Sequence, residues 1–343
     1  MQEKWVFWLD ELGQEHNELV GRKSANLGEM TKIGAPVPPG FALSMAAYER
    51  FLDETGALGE LRRCLEHSGG AATDFGRLSE MSDNLRQILE SRPMPQEMGA
   101  VILSYYRRMC ETAGIADVAV ATRSAGAQSR PGQYESYLNV RGETDLLEKI
   151  KRVWSSSFNV RSLSASLRDG GPSARNPISV CVLKMVNARV AGIAFTADPN
   201  TGDPSRIIVE ANWGLGESVV SGESTPDRFV LEKEGLVVHE KVLGAKAKVV
   251  SCSAMGTHEE DLSPEKAAAF CLTDEEAIEI GRLAKILEAH FDNTPQDLEW
   301  AIDDDLEAPE NIVLLQARPA KIVKRKDAAD MILDHMLSSL YHR

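Results

Sequence analysis

The sequence predicts an α+β chain whose helices gather in the first third and whose strands, mostly antiparallel, fill the second half. Three observations carry this. Roughly the first 115 residues read mainly as helix. Residues 178–196 read as two strands in succession. Near the C-terminal end, two segments of alternating apolar and polar residues flank a polar turn.

Taken in order, Pro38-Pro39-Gly40 stops a first segment, and Ser44 stands where it can cap a helix from Met45 to Leu52. Ser68-Gly69-Gly70-Ala71-Ala72 reads as a loop, and a further helix is expected from Pro95 to Ala113. From Val118 the pattern turns to strands: Val118–Thr122, Glu135–Val140, Ile178–Val186 and Val190–Thr196, the last two joined at Asn187-Ala188. Asp198-Pro199-Asn200-Thr201-Gly202 is turn chemistry before a strand Ile207–Ala211. Thr273-x-x-Glu276 is a capping box, and Ala277, Ile280, Ala284, Leu287 and Phe291 follow it at helical spacing. Beyond residue 319 comes a basic link, Lys321 to Lys326, and an amphipathic segment that reads either as a C-terminal cap or as an interaction element.

Bulk properties narrow the partners. At 343 residues the chain holds two domains or two large lobes. Its 38 Lys+Arg against 52 Asp+Glu give a formal charge of −14. That balance argues against nucleic acid or an anionic membrane as the main partner. A phosphate ligand is still compatible, because a few local cations and Mg²⁺ can hold ATP inside an acidic protein. The five cysteines are scattered and form no C-x-x-C pair, so reduced thiols are expected, with neither a disulfide framework nor a zinc site. The start has no apolar leader and no run of 18 apolar residues occurs, so a soluble, cytoplasmic protein is expected.

Four segments carry candidate chemistry. In Asp297-Leu-Glu-Trp-Ala-Ile-Asp303, Leu298, Trp300 and Ile302 point one way and Asp297, Glu299 and Asp303 the other. In Ile312–Pro319, Leu314, Gln316 and Arg318 share a face. A hairpin of the two brings Asp297 and Glu299 beside Gln316 and Arg318. Two carboxylates and an amide oxygen suit a hard cation such as Mg²⁺, and an adjacent arginine suits a phosphoryl oxygen. A solvated face with ordinary cross-strand ion pairs fits the same alternation. Gly21-Arg22-Lys23-Ser24 fails the spacing of a P-loop but leaves a lysine near a glycine before a helix, a plausible phosphate contact or a plain surface charge. Arg123-Ser-Ala-Gly126-Ala-Gln-Ser-Arg130-Pro-Gly132-Gln133 ends a short strand in a glycine-bearing loop, which suits an anion nest or an ordinary surface loop. Trp213-Gly-Leu-Gly-Glu217 lacks the dinucleotide fingerprint and reads as a ligand-side loop or a tight turn. The seven histidines form no i, i+4 metal pair, and none sits in a Gly-Gly-rich loop that would mark a phosphoryl acceptor.

These segments, with Gly132-Gln133-x-Glu135, Phe195-Thr-Ala-Asp-Pro199, Asn212–Glu217, Thr225-Pro-Asp227, Asp297-Leu-Glu-Trp300 and Gln316-Ala-Arg-Pro319, occur in one order. That series resembles the N-terminal ATP-binding domain of the phosphoenolpyruvate synthase and pyruvate phosphate dikinase family, over residues 4–322 or so. The resemblance implies an ATP-grasp fold with ATP between two lobes: residues 1–180 as the first, 181–322 as the second, and 323–343 as a tail. It implies that Lys23 and Arg123 contact phosphates and that Gly132, Gln133 and Ser136 lie over the triphosphate. It sets the adenine against the backbone of Leu183, Lys184, Met185 and Val186. It gives Mg²⁺ to Glu299 and Gln316 with Asp297 beside them, and assigns Arg318 to charge on the transferred group. The chain departs from the family in a shorter loop after Arg123, in Ser136 where a threonine is usual, and in Leu183 where a glutamine is usual.

The family cleaves ATP to AMP and phosphate and passes the β-phosphate to a histidine on a domain that follows the ATP-binding one. No such histidine loop is found in this sequence, so a partner subunit is expected to carry it. The chain looks like the ATP-binding subunit of the phenylphosphate synthases, which have that split arrangement and phosphorylate phenol. A split or truncated phosphoenolpyruvate synthase is the alternative, and a non-catalytic nucleotide-binding regulator a third reading.

Overall fold

The computed structural model describes residues 4–67, 75–126, 133–168, 171–216, 224–253 and 256–322. The expected loop at 68–72, Gly132, Glu217 and the tail helix lie outside them. The described residues fall into two compact units. One comprises those within Met1–Arg189, Val250–Glu260 and Ala301–Gln316, the other those within Val190–Val249, Asp261–Trp300 and Ala317–Arg343. Among the described residues no helix is long and apolar enough to cross a membrane.

The first unit is built on a five-stranded sheet of β1 (Val6–Trp8), β2 (Gly40–Leu43), β3 (Val120–Ala125), β4 (Ser136–Val140) and β5 (Ser179–Lys184). Their spatial order is β1-β2-β5-β3-β4, with antiparallel neighbours. Side chains alternate across its two faces. Phe41, Leu43, Val120, Val180 and Val182 enter an apolar core with α2 (Met45–Thr55), α3 (Ala57–His67), α4 (Phe75–Glu90), α5 (Gln96–Ala113), α6 (Glu143–Ser155) and α7 (Val160–Arg168). Fully buried Trp154 of α6 anchors that core, its ring centroid 5.1 Å from Phe51 and 5.9 Å from Tyr48. The opposite face carries Ala121, Arg123 and Ala125 across from Leu183, Cys181 and Ser179. Helix α1 (Asn17–Lys32) packs on β3 and β5.

Strands β1 and β2 were not expected, because each has only three or four residues and β2 is buried along its whole length, which erases the period-2 signal. Helix α2 begins where Ser44 predicts, but the Ser44 side chain does not cap it. That residue is fully buried, its N–H donates to the Trp5 carbonyl (2.9 Å), and its backbone rather than its hydroxyl serves the junction. The strands expected at 178–186 and 190–196 also exist, yet they do not pair with each other. β5 lies between β2 and β3, and β6 (Ala188–Phe195) begins a different sheet.

In the second unit β6, β7 (Arg206–Trp213), β8 (Asp227–Glu232) and β9 (Val237–Val242) pair antiparallel in sequence order. The sheet order continues from β6 through β12 (Gln296–Asp303) to β13 (Ile312–Pro319), while β10 (Lys248–Cys252) and β11 (Thr257–Asp261) form a separate two-stranded sheet. Helix α8 (Asp274–His290) begins at the expected box: Thr273 Oγ1 accepts from the Glu276 N–H (3.2 Å) and Glu276 Oε2 from the Thr273 N–H (2.9 Å). Its Ala277, Ile280, Ala284 and Leu287 are buried. Gly281 on α8 lets the Leu231 side chain approach closely; a Cβ there would stand 3.1 Å from it. The Asp198–Gly202 turn forms as expected, with Asp198 Oδ1 accepting from the Asn200 N–H at 2.8 Å.

Candidate functional site

The segment around Gly21 explains how two motifs 100 residues apart meet. Gly21 breaks α1 with φ 74° and ψ 156°, a conformation that costs little only without a Cβ. The Arg22 N–H then donates to the Gly126 carbonyl at 3.1 Å. The Ser179 hydroxyl lies within hydrogen-bond reach of the Val20 and Ala125 carbonyls. A Cβ on Gly21 would sit 2.5 Å from the Ala125 carbonyl oxygen. The kink therefore docks α1 onto the end of β3 and sets Lys23 in the first turn of the helix that resumes after it. Gly21→Ala is expected to destabilise the chain by about 1–3 kcal/mol through strain and overpacking, read as a shifted urea midpoint. An unchanged midpoint would show that the kink is not needed.

Arg123 lies on the face of the first unit's sheet that also bears Cys181 and Ser136, its direct cross-strand partners. Its guanidinium donates to the Leu315 carbonyl (2.8 Å) and to Gln316 Oε1 (3.4 Å). Burial pushes the Cys181 thiol up to about 11, against the pull of the positive charges of Arg123 and Lys23. Arg123 and Gln316 meet in the first unit, with Ser136 across from Arg123, and Lys23 follows the kink that docks α1 at the end of the same strand. Gln133, buried, precedes β4, and its carbonyl accepts from Asn159 Nδ2 at 2.8 Å.

The segment expected to face adenine closes β5. Leu183 is buried in the sheet, the Lys184 N–H donates to the Pro39 carbonyl and the Met185 N–H to the Ala119 carbonyl, each at 2.8 Å. Those two donors are already used within the protein. Val186 is buried as well.

In the second unit, Arg318 is held by Asp297. Its Nε donates to Oδ2 at 2.8 Å, and its Nη2 lies 2.7 Å from the same oxygen. Burial pushes the Asp297 carboxyl above its ordinary range; Arg318 opposes this and the nearby Glu299 charge adds to it. Asp297, Glu299 and Arg318 thus form a second group. The alternation of β12 is not that of a solvated face: Leu298, Trp300 and Ile302 are buried, and so are Asp297 and Asp303.

Among the described residues no group of three or more His, Cys, Asp and Glu could hold a metal ion. Among the described residues no cysteine forms a disulfide. In the Trp213 segment Gly214 has φ 71°, and Trp213 Nε1 donates to the Lys266 carbonyl at 3.1 Å. Sequence reasoning missed the Leu315 carbonyl as the main partner of Arg123, because a main-chain acceptor leaves no mark in a residue pattern. It also missed the ties that hold residues 133–137.

The profile of the family described as pyruvate phosphate dikinase, AMP/ATP-binding domain, matches residues 17–338. Among curated proteins, the phosphoenolpyruvate synthase of Aeropyrum pernix is 37% identical over 361 residues, covering 95% of this chain and 43% of that protein. The phosphoenolpyruvate synthase of Pyrococcus furiosus is 33% identical over 373 residues, covering 96% and 45%. The probable phosphoenolpyruvate synthase of Methanothermobacter thermautotrophicus is 34% identical over 322 residues, covering 92% and 46%. The chain spans less than half the length of these relatives.

Proposed function

Because this chain belongs to the family of pyruvate phosphate dikinase AMP/ATP-binding domains, we propose that it binds and cleaves ATP as part of a dikinase of the phosphoenolpyruvate synthase type. The observation that carries the reading is the first-unit cluster, in which Arg123 holds Gln316 and stands across from Ser136 while the kink at Gly21 docks the helix that bears Lys23 onto the end of the same strand. Cations so placed suit the phosphates of a nucleotide in a protein that is acidic overall.

In this reading Lys23 and Arg123 hold phosphate oxygens, and the Ser136 hydroxyl lies on the same face to donate to one. Glu299 and Gln316 offer a carboxylate and an amide oxygen, hard donors that suit Mg²⁺. With no larger acidic cluster among the described residues, this donor set fits an ion shared with phosphates better than an all-protein cage. Bound there, Mg²⁺ supplies charge neutralisation at the phosphates. Asp297 aims Arg318, whose guanidinium meets charge on the transferred group. The β-phosphate passes to a histidine outside these 343 residues, on a separate subunit or elsewhere in one polypeptide, and AMP and phosphate leave.

The relatives' names favour pyruvate as the final acceptor. Phenol, which the split phenylphosphate arrangement implies, has no counterpart among the relatives compared above, so that expectation gives way to its alternative. A cytoplasmic setting belongs to the same proposal; five scattered cysteines, none in a disulfide among the described residues, suit a reducing compartment. Product analysis tests it: the chain, ATP, Mg²⁺ and the histidine-bearing polypeptide are expected to give AMP and phosphate. ADP as sole product would contradict a dikinase, and binding without turnover would point to a regulator.

A further inference from the structure

We infer that Arg86 is a positioning residue for the nucleotide, acting through Glu135 to set Ser136 across from Arg123. The inference rests on the ATP reading above and adds to it a residue that no motif contains.

Residues 133–135 precede β4 without regular structure, so ladder hydrogen bonds do not fix them. They are tied from the helical side instead. The Gln133 carbonyl accepts from Asn159 Nδ2 (2.8 Å) and Ser162 Oγ (3.2 Å). Asn159 is itself set by α7, because its Oδ1 accepts from the Ser162 N–H at 2.8 Å, as an N-cap does. Two residues on, Glu135 receives a two-pronged bond from Arg86 of α4: Nη1 to Oε1 at 2.6 Å and Nη2 to Oε2 at 2.9 Å. Tyr137 Oη adds a third donor to Oε2 at 2.5 Å. Behind the guanidinium, Arg86 Nε donates to Glu90 Oε1 (3.3 Å), which also accepts from Ser155 Oγ of α6 (2.5 Å).

The alternation of an extended chain then decides what Ser136 does. Glu135 and Tyr137 reach the helical side, so Ser136 between them faces the other way, in register with Arg123. Arg86 and Glu135 are largely shielded from water, at 25% and 32% side-chain exposure. A planar bidentate pair in that setting specifies orientation as well as attraction. A lysine there would keep the charge and lose the fork.

A suitable comparison lies on the surface. Arg107 forks Glu143 with the same distances, 2.6 and 2.9 Å, but both side chains are more exposed. Two measurements on the full chain test the inference. Arg86→Ala is expected to speed amide exchange at residues 133–137, a readout that needs no nucleotide, whereas Arg107→Ala leaves that segment unchanged. Arg86→Ala is also expected to weaken MgATP binding by calorimetric titration about ten- to a hundredfold, the scale of one lost hydrogen bond to a charged phosphate. Arg86→Lys is expected to fall between, and Arg86→Ala combined with Glu135→Ala to bind no worse than the weaker single variant. Faster exchange with unchanged ATP affinity in Arg86→Ala would overturn the inference, as would additive losses in the double variant or an equal loss in Arg107→Ala. Wild-type chain that binds no ATP would sink the nucleotide reading itself, whatever the exchange data show.

Discussion

Glu299→Ala is expected to abolish metal-dependent ATP cleavage while leaving circular dichroism and melting temperature near wild type. The core of β12 is supplied by Leu298, Trp300 and Ile302, and Glu299 is only partly buried, so truncating it opens no apolar cavity. In the proposed role its loss removes the charged one of two oxygen donors, and magnesium keeps too few protein contacts to stay at the phosphates. Glu299→Gln, which keeps volume and hydrogen bonding, should be nearly as inactive because it lacks the charge. Gln316→Ala is expected to lose cleavage as well, but with a second effect, since Gln316 also accepts from Arg123. Steady-state rates at several Mg²⁺ concentrations separate the two. Undiminished turnover in Glu299→Ala would refute the metal assignment.

Arg318→Ala is expected to slow phosphoryl transfer by roughly 10³-fold or more, far beyond any loss in ATP affinity, as for an arginine that meets charge developing in the transition state. The structure supplies the reason for a split between binding and rate. Both Nε and Nη2 of Arg318 lie within 2.8 Å of Asp297 Oδ2, so the guanidinium is aimed before any ligand arrives and need not reorganise during the reaction. Single-turnover rates set beside equilibrium binding would show it. Equal losses in both would mean that Arg318 only binds.

Much of this was legible in residues alone, and the gaps have physical causes. The alternation of Asp297–Asp303 and Ile312–Pro319 located β12 and β13, and the Arg318–Asp297 pair follows from their pairing. The box at Thr273 located α8 because capping is a local interaction read within four residues. Arg123 could be singled out at the end of a short strand, but not its meeting with the Gly21 segment. That meeting depends on a backbone turn at φ 74°, on the Arg22 N–H donating to the Gly126 carbonyl and on the Ser179 hydroxyl donating to the Val20 carbonyl, none of which has a sequence period. The Arg86–Glu135 fork was hidden for a related reason: its partners are 49 positions apart and each reads as an ordinary surface charge. β2 escaped because four residues buried on both faces look like any apolar stretch. Pairing partners of β5 were likewise out of reach, since β2, β3 and β5 come from three distant parts of the chain.

Titration of the chain with ATP in the presence of Mg²⁺, on wild type and on Arg123→Ala, tests the central claim most directly. The account predicts one saturable site in the wild type and an affinity loss of at least about tenfold in the variant, as a charge-assisted phosphate contact is removed. A wild type that shows no saturable binding, or an Arg123→Ala variant that binds ATP as tightly as the wild type, would contradict it.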